Sequence, residues 1–266
     1  MYKLLIISFL LLPISFLALA QKDFTEFENR LFIKEAKKSK ENPQVAKDTL
    51  PYRLLKPLNY DKNKKYPLVV FFHGAGERGK DNITPLTHIA PLFLDSLNRL
   101  NYPCFVIVPQ CPKEFRWVAT DWKLPAHTQP GEPSKPMYLF MKLLDDLAKE
   151  FSLDEKRLYV TGLSMGGFAT WDIIARFPSK FACAVPICGG ADEKTAEKIK
   201  NIPIWAFHGA LDKVVIPERS RNIIKAIQEK GGSPKYTEFA DVYHDSWKRA
   251  YADPELIKWI FEQKRK

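Results

Sequence analysis

Residues 158 to 177 read Leu158-Tyr159-Val160-Thr161-Gly162-Leu163-Ser164-Met165-Gly166-Gly167-Phe168-Ala169-Thr170-Trp171-Asp172-Ile173-Ile174-Ala175-Arg176-Phe177. The apolar run Leu158 to Val160 predicts a strand. The amphipathic stretch that follows Met165 and stops at Pro178 predicts a helix. Between them stands Gly162-Leu163-Ser164-Met165-Gly166, a G-x-S-x-G pattern in the strand–turn–helix context that defines a nucleophile elbow. A strand turning directly into a helix needs close backbone approaches that a Cβ would block, which the glycines permit. Such a turn holds the Ser164 hydroxyl out at the top of a sheet, facing the free N–H groups of the helix that begins there.

A serine hydroxyl is a weak nucleophile and needs a base, itself oriented by an acid. On this architecture both partners follow the serine, acid first and histidine last. Of five histidines only His208 and His244 lie beyond Ser164. His208 closes the strand-like Ile204-Trp205-Ala206-Phe207-His208, where a structural hydrogen bond is its expected role. His244 sits in the polar stretch Asp241-Val242-Tyr243-His244-Asp245-Ser246-Trp247, after the next strand candidate, and is the preferred base. Asp212, in the loop after the His208 strand, fits the acid, with Asp192 one strand earlier as the alternative. Asp241 and Asp245 lie too close to His244 in sequence to orient it.

Upstream, the apolar strand Tyr66 to Phe72 ends in His73-Gly74-Ala75-Gly76-Glu77-Arg78-Gly79. This glycine-rich turn lacks the Gly-Lys-Ser/Thr of a phosphate loop. It reads instead as half of an oxyanion hole, with one amide from Ala75 and one from Met165, the residue after the nucleophile. His73 is expected to brace the turn. Glu77 and Arg78 read as an ion pair shaping the loop, with substrate contact as the alternative. Gln110 to Pro136 is a long connection rich in proline that leaves the carboxyl end of a central strand, and a loop of that length is usually functional. It carries Trp117 and Trp122, which are candidates to present aromatic faces to a substrate, or else to pin the loop to the body. His127 in the same loop is expected to be structural.

Phe72-His73-Gly74-Ala75-Gly76-Glu77-Arg78-Gly79, Gly162 to Gly167, Phe207-His208-Gly209 with Asp212, and His244-Asp245-Ser246-Trp247 together resemble the secreted α/β-hydrolase esterases. The group in question holds feruloyl esterases, acetylxylan esterases and polyhydroxybutyrate-depolymerase-like enzymes, some of them grouped as peptidases or phospholipase/carboxylesterases. The resemblance spans about residues 50 to 262. It implies the α/β-hydrolase fold, a Ser164–His244–Asp212 triad, ester hydrolysis through an acyl-enzyme, and no metal or organic cofactor. The resemblance is poor for substrate; the loop rich in proline, tryptophan and charge, with no long apolar lid, leads to the expectation of short acyl or hydroxycinnamoyl esters of carbohydrates. The depolymerase branch carries a cysteine after the His-Gly pair, where this chain has Ala75. A peptidase of the prolyl-oligopeptidase type would use the same triad and would be expected to carry a propeller or cap domain, for which the 266 residues leave no room. A binding protein on the same scaffold would be expected to have lost a triad member.

The remainder of the chain supports one domain. Lys3, the apolar run Leu4 to Leu17 and Ala18-Leu19-Ala20 read as a secretory signal peptide over residues 1–20, cleaved before Gln21. That assigns the chain to the periplasm or the exterior, with no stable membrane anchor after cleavage. Residues 21–49 are charged and helix-prone and read as an N-terminal arm, and residues 50–266 as the catalytic domain. Strands are expected near 52–55, 68–72, 104–108, 158–162, 182–187, 203–208 and 235–239. Helices are expected near 86–98, 136–149, 165–177, 193–199, 217–230 and 254–264. The alternation implies an α/β fold with a mostly parallel sheet and helices on both faces. The formal net charge of +10 is spread along the chain with no nucleic-acid motif, so a nucleic-acid partner is not expected. Cys104 and Cys111 bracket one strand, and Cys183 and Cys188 lie on another. Seven residues of extended chain far exceed bridging distance, so four buried free thiols are expected.

Overall fold

The computed structural model describes residues 24–35 and 47–266. Within them eight strands form one sheet in the order β1-β2-β4-β3-β5-β6-β7-β8. The strands are β1 (Glu28–Glu35), β2 (Lys47–Leu55), β3 (Tyr66–Phe72), β4 (Phe105–Pro109), β5 (Leu153–Leu163), β6 (Cys183–Ile187), β7 (Trp205–Gly209) and β8 (Lys235–Phe239). β2 runs antiparallel to both β1 and β4, while β4, β3, β5, β6, β7 and β8 are mutually parallel. The central strands are buried along their whole length, as strands covered on both faces must be. Their side chains alternate between two cores. Leu68, Val70 and Phe72 join the apolar layer on one face, and Val69 and Phe71 join that on the other.

The first layer is built by α3 (Lys135–Glu150), α4 (Met165–Arg176), α5 (Ala196–Ile199) and α6 (Glu218–Glu229), the second by α1 (Ala90–Leu94), α7 (Trp247–Ala252) and α8 (Pro254–Glu262). α3 shows how local sequence sets an element. The Ser134 hydroxyl accepts the Met137 N–H, Pro136 occupies the first turn, and Phe140, Leu143, Leu144 and Leu147 form the buried stripe. The helix expected over 86–98 is instead broken. Asp95 takes an extended conformation and accepts the Asn98 N–H, ending α1 and capping a separate α2 (Ser96–Asn101).

The segment read as a helix-prone arm is corrected over Glu28–Glu35. It forms β1, an edge strand paired residue by residue with β2 from Glu28↔Leu54 to Glu35↔Lys47. The sheet therefore begins upstream of residue 50. Its alternation of exposed Leu31 and Ile33 around buried Phe32 is the period-two signature of a half-covered edge. The signal peptide read at residues 1–20 lies outside the described residues.

Candidate active site

The turn between β5 and α4 places Ser164 at φ 53°, ψ −119°, a left-handed conformation strained for a residue with a side chain. Such strain persists only where the surroundings over-determine it. Here α4 packs so closely on β3 and β5 that a Cβ on Gly166 would land on the Phe72 carbonyl oxygen, and one on Gly162 on the Gly166 carbonyl. The Ser164 N–H is tied to the Ile187 carbonyl at 2.9 Å, which fixes the turn against β6.

Three loops at the carboxyl ends of parallel strands bring the candidate residues together. Ser164 Oγ lies 2.9 Å from His244 Nε2, and His244 Nδ1 lies 2.7 Å from Asp212 Oδ2. The other Asp212 oxygen accepts the Val214 and Val215 amides at 2.8 and 3.0 Å. Burial acts to raise the Asp212 pKa. The hydrogen bonds from His208 and His244 and the Val215 amide outweigh it and hold the carboxyl well below the usual range. Asp192 takes no part: its oxygens accept the Gln129 and Lys194 amides, anchoring the long loop and capping a helical turn.

His208 is fully buried, with Nδ1 2.7 Å from Ser220 Oγ and Nε2 2.8 Å from the Val215 carbonyl. Its Nε2 also lies 3.2 Å from Asp212 Oδ2, so the carboxylate is shared between two imidazoles, a contact absent from the sequence reading. Cys188 Sγ, Asp212 and His244 offer three potential metal-ligand atoms within 4.8 Å of one another. Burial raises the Cys188 thiol far above its ordinary value, and the other two groups are already hydrogen-bonded, so the set is a poor match for a metal's deprotonated donors.

Ala75 opens a 3-10 turn directly after β3, and Met165 is the first residue of α4, where an N–H has no partner inside its own helix. His73 braces this loop. Its Nδ1 lies 2.6 Å from the Gly74 carbonyl, and its Nε2 accepts the Cys111 N–H at 2.9 Å. Burial lowers its pKa to about 4, so the ring is neutral. Glu77 and Arg78 do not pair with each other. Arg78 staples the Ala75 carbonyl to those of Lys113 and Phe115, while Glu77 faces His88, with 3.5 Å between Oε1 and Nε2.

Trp117 requires a correction. It is 0% exposed, packs edge-on against Phe72 and His73, and donates its indole N–H to the His73 carbonyl at 3.2 Å. No face remains for a substrate. It pins the start of the long loop to the turn after β3. Trp117→Ala is expected to lower stability by about 3 to 5 kcal/mol, read as the shift in urea midpoint, and to depress all ester activities together. Trp122 is partly buried, with Arg116 over its ring at 4.3 Å, and no contact joins it to Ser164 or His244. Downstream, Arg219 reaches the Leu124 carbonyl and His127, and Arg176 holds the Pro130 and Gly131 carbonyls, strapping the loop to α6 and α4. Burial, with the Arg219 charge, lowers the His127 pKa to about 4. The residue that sequence reasoning missed is Trp247, whose ring meets His244 edge-on at 5.5 Å.

A solved structure described as a thermostable esterase superposes over 91% of this chain and 64% of its own, with TM-score 0.78 and 39% identity. The chain has the α/β-hydrolase fold. A ferulic acid esterase shares this fold at TM-score 0.61 and 16% identity, over 88% of this chain and 100% of that one. The prolyl oligopeptidase family model matches residues 134–206, the segment that carries the elbow. A bifunctional acetylxylan esterase/xylanase of Neocallimastix patriciarum is 30% identical over 94 residues, 35% of this chain and 14% of that protein. The chain thus spans 64% of the thermostable esterase and 14% of the Neocallimastix patriciarum protein. No helix among the described residues is long and apolar enough to cross a membrane.

Proposed function

We propose that the chain hydrolyses carboxylic esters, with Ser164 as nucleophile, His244 as general base and then general acid, and Asp212 as the group that orients the imidazole. The observation that carries this reading is the unbroken chain of 2.9 and 2.7 Å contacts from Ser164 Oγ through His244 to Asp212, starting from a strained elbow. Nε2 takes the serine proton as Oγ attacks the ester carbonyl. The carbonyl oxygen gains negative charge and is held by the Ala75 and Met165 amides, a donor pair of which each member is typically worth about 100 to 1000-fold in rate. The C–O bond to the alcohol then breaks, and the departing oxygen takes the proton from Nε2. Water repeats the cycle on the acyl-enzyme, releasing acid and restoring Ser164. None of these steps calls on a cofactor.

Short acyl or hydroxycinnamoyl esters of carbohydrates are the proposed substrates, supported by the names of the acetylxylan-esterase and ferulic-acid-esterase relatives. The match to the prolyl oligopeptidase family favours a second reading, peptide-bond cleavage by the same residues. Incubation with a fluorophosphonate, followed by peptide mass spectrometry, is expected to place the adduct on Ser164. A panel of acetyl, feruloyl and peptidyl substrates then separates the two readings. An unlabelled Ser164, or turnover of peptides alone, would sink the esterase assignment. Export belongs to the same proposal, and N-terminal sequencing of exported protein is expected to begin at Gln21.

A further inference from the structure

Gln110, the first residue after β4, buries a whole carboxamide at 0% exposure. Such a group is costly inside a protein unless its donors and its acceptor are matched. Here they are. Oε1 accepts the Asn82 N–H at 2.6 Å, and Nε2 donates to the Glu77 carbonyl at 2.9 Å and to Asp81 Oδ2 at 3.1 Å. These partners fix the amide's orientation, because a flipped amide would set its oxygen against two oxygens. The packing around it is tight: a Cβ on Gly79 would stand 3.1 Å from Nε2 and 3.2 Å from Asp81 Oδ2.

Ala75 opens the 3-10 turn after β3 and Glu77 closes it, so Gln110 holds the far end of the turn that carries the proposed oxyanion amide. His73 holds the near end through the Gly74 carbonyl and the Cys111 N–H, and Arg78 Nε donates to the Ala75 carbonyl at 3.0 Å. Gln110 also ties this loop to the sheet. Its own N–H goes to the Pro51 carbonyl of β2 at 2.8 Å. Its partner Asn82 sits at φ 55°, a left-handed conformation that asparagine tolerates. Asn82 Nδ2 donates to the Tyr52 and Arg30 carbonyls at 2.9 and 3.2 Å and to Asn29 Oδ1 at 2.7 Å, joining β2 and β1. The carboxamide does this as a neutral group, adding no charge to a loop that already carries Glu77 and Asp81. We propose that Gln110 is a positioning residue for the oxyanion hole: its bond to the Glu77 carbonyl sets the turn so that the Ala75 N–H meets the carbonyl oxygen as it gains charge. This rests on the ester-hydrolase reading and extends it to a side chain outside the triad and outside the two donors.

The test uses para-nitrophenyl acetate and its thionoester, in which sulfur replaces the carbonyl oxygen. Sulfur is larger and a weak hydrogen-bond acceptor, so a well-placed donor pair favours the oxygen ester. Gln110→Met keeps the side chain's length and removes its three side-chain hydrogen bonds. The variant's kcat on the oxygen ester is expected to fall about 100-fold, with KM within about three-fold of wild type. Its kcat on the thionoester is expected to fall less, so that the oxygen-to-sulfur ratio of kcat drops at least about ten-fold. A variant that is only looser in structure loses both activities alike, and an unchanged ratio overturns the assignment. If circular dichroism shows Gln110→Met unfolded, Gln110→Glu takes its place. It keeps an acceptor for the Asn82 N–H but as a carboxylate cannot donate to the Glu77 carbonyl, and the same drop in ratio is expected. A wild type that cleaves esters beside a variant of unchanged ratio sinks the role of Gln110 alone. A wild type that cleaves neither ester sinks the hydrolase reading, and the role of Gln110 falls with it.

Discussion

Ser164→Ala and His244→Ala are each expected to lower kcat on para-nitrophenyl acetate by about a million-fold, and the double variant by no more than either alone. The non-additivity is the informative part. In the proposed mechanism Oγ and Nε2, 2.9 Å apart, act as one proton-transfer unit, so that once either atom is gone the other has nothing to do. What survives in all three variants is binding and the oxyanion donors. The control is His208→Ala. His208 also reaches Asp212 but is fully buried behind the Val215 carbonyl and Ser220, away from the nucleophile. Its loss is expected to reduce stability and leave kcat within about ten-fold. A His208→Ala protein as inactive as His244→Ala, with its circular dichroism intact, would refute the assignment of the base.

Asp212→Asn is expected to cost about ten-thousand-fold in kcat with little change in KM. The carboxylate accepts on both oxygens, from two loop amides on one and from His244 Nδ1 on the other. An amide must keep its oxygen on the loop amides and so turns its NH2 toward Nδ1. The imidazole then carries its proton on Nε2 and cannot accept one from Ser164. The same variant has a stability signature. The Asp212 pKa is lower in the folded than in the unfolded chain, so its stabilisation is present above the unfolded value of about 3.9 and is lost as pH falls toward the folded one. The fall in melting temperature below about pH 4 is therefore expected to be shallower in Asp212→Asn than in wild type, and equal slopes would count against the carboxylate's stabilising role.

The parallel strands were legible because burial on both faces forces near-continuous apolar runs such as Leu68 to Phe72, and the elbow because its glycines are sterically required. β1 was not, because only Phe32 of its eight residues is buried, and Glu28, Arg30, Lys34 and Glu35 mimic a solvated helix. The six-residue α7 is too short to show a period, so the residues after His244 read as loop. The order of Ser164, Asp212 and His244 along the chain followed from topology, but which tryptophan lies near them did not. Trp117 sits among Phe115, Val118 and Ala119, and Trp247 among Asp245, Ser246, Lys248 and Arg249, and neither context says which ring meets His244. Their different surroundings arise from contacts with Phe72 and His73 in one case and His88 and His244 in the other, which only the fold brings about.

All four cysteines are unbridged and buried, and burial pushes the thiol of Cys111 up to about 12 and raises the other three well above their ordinary value. A thiol reagent attacks only the thiolate, so in the native state it meets almost none. Cys104 lies just before β4, Cys111 two residues after it, and Cys183 opens β6 with Cys188 just past its end, so their reaction is expected to wait on opening of the central sheet and the loop that follows β4. Alkylation followed over time would then clock the opening of the sheet, not the reactivity of sulfur. The chain carries four internal timers of its own unfolding, and their reading needs no engineered label.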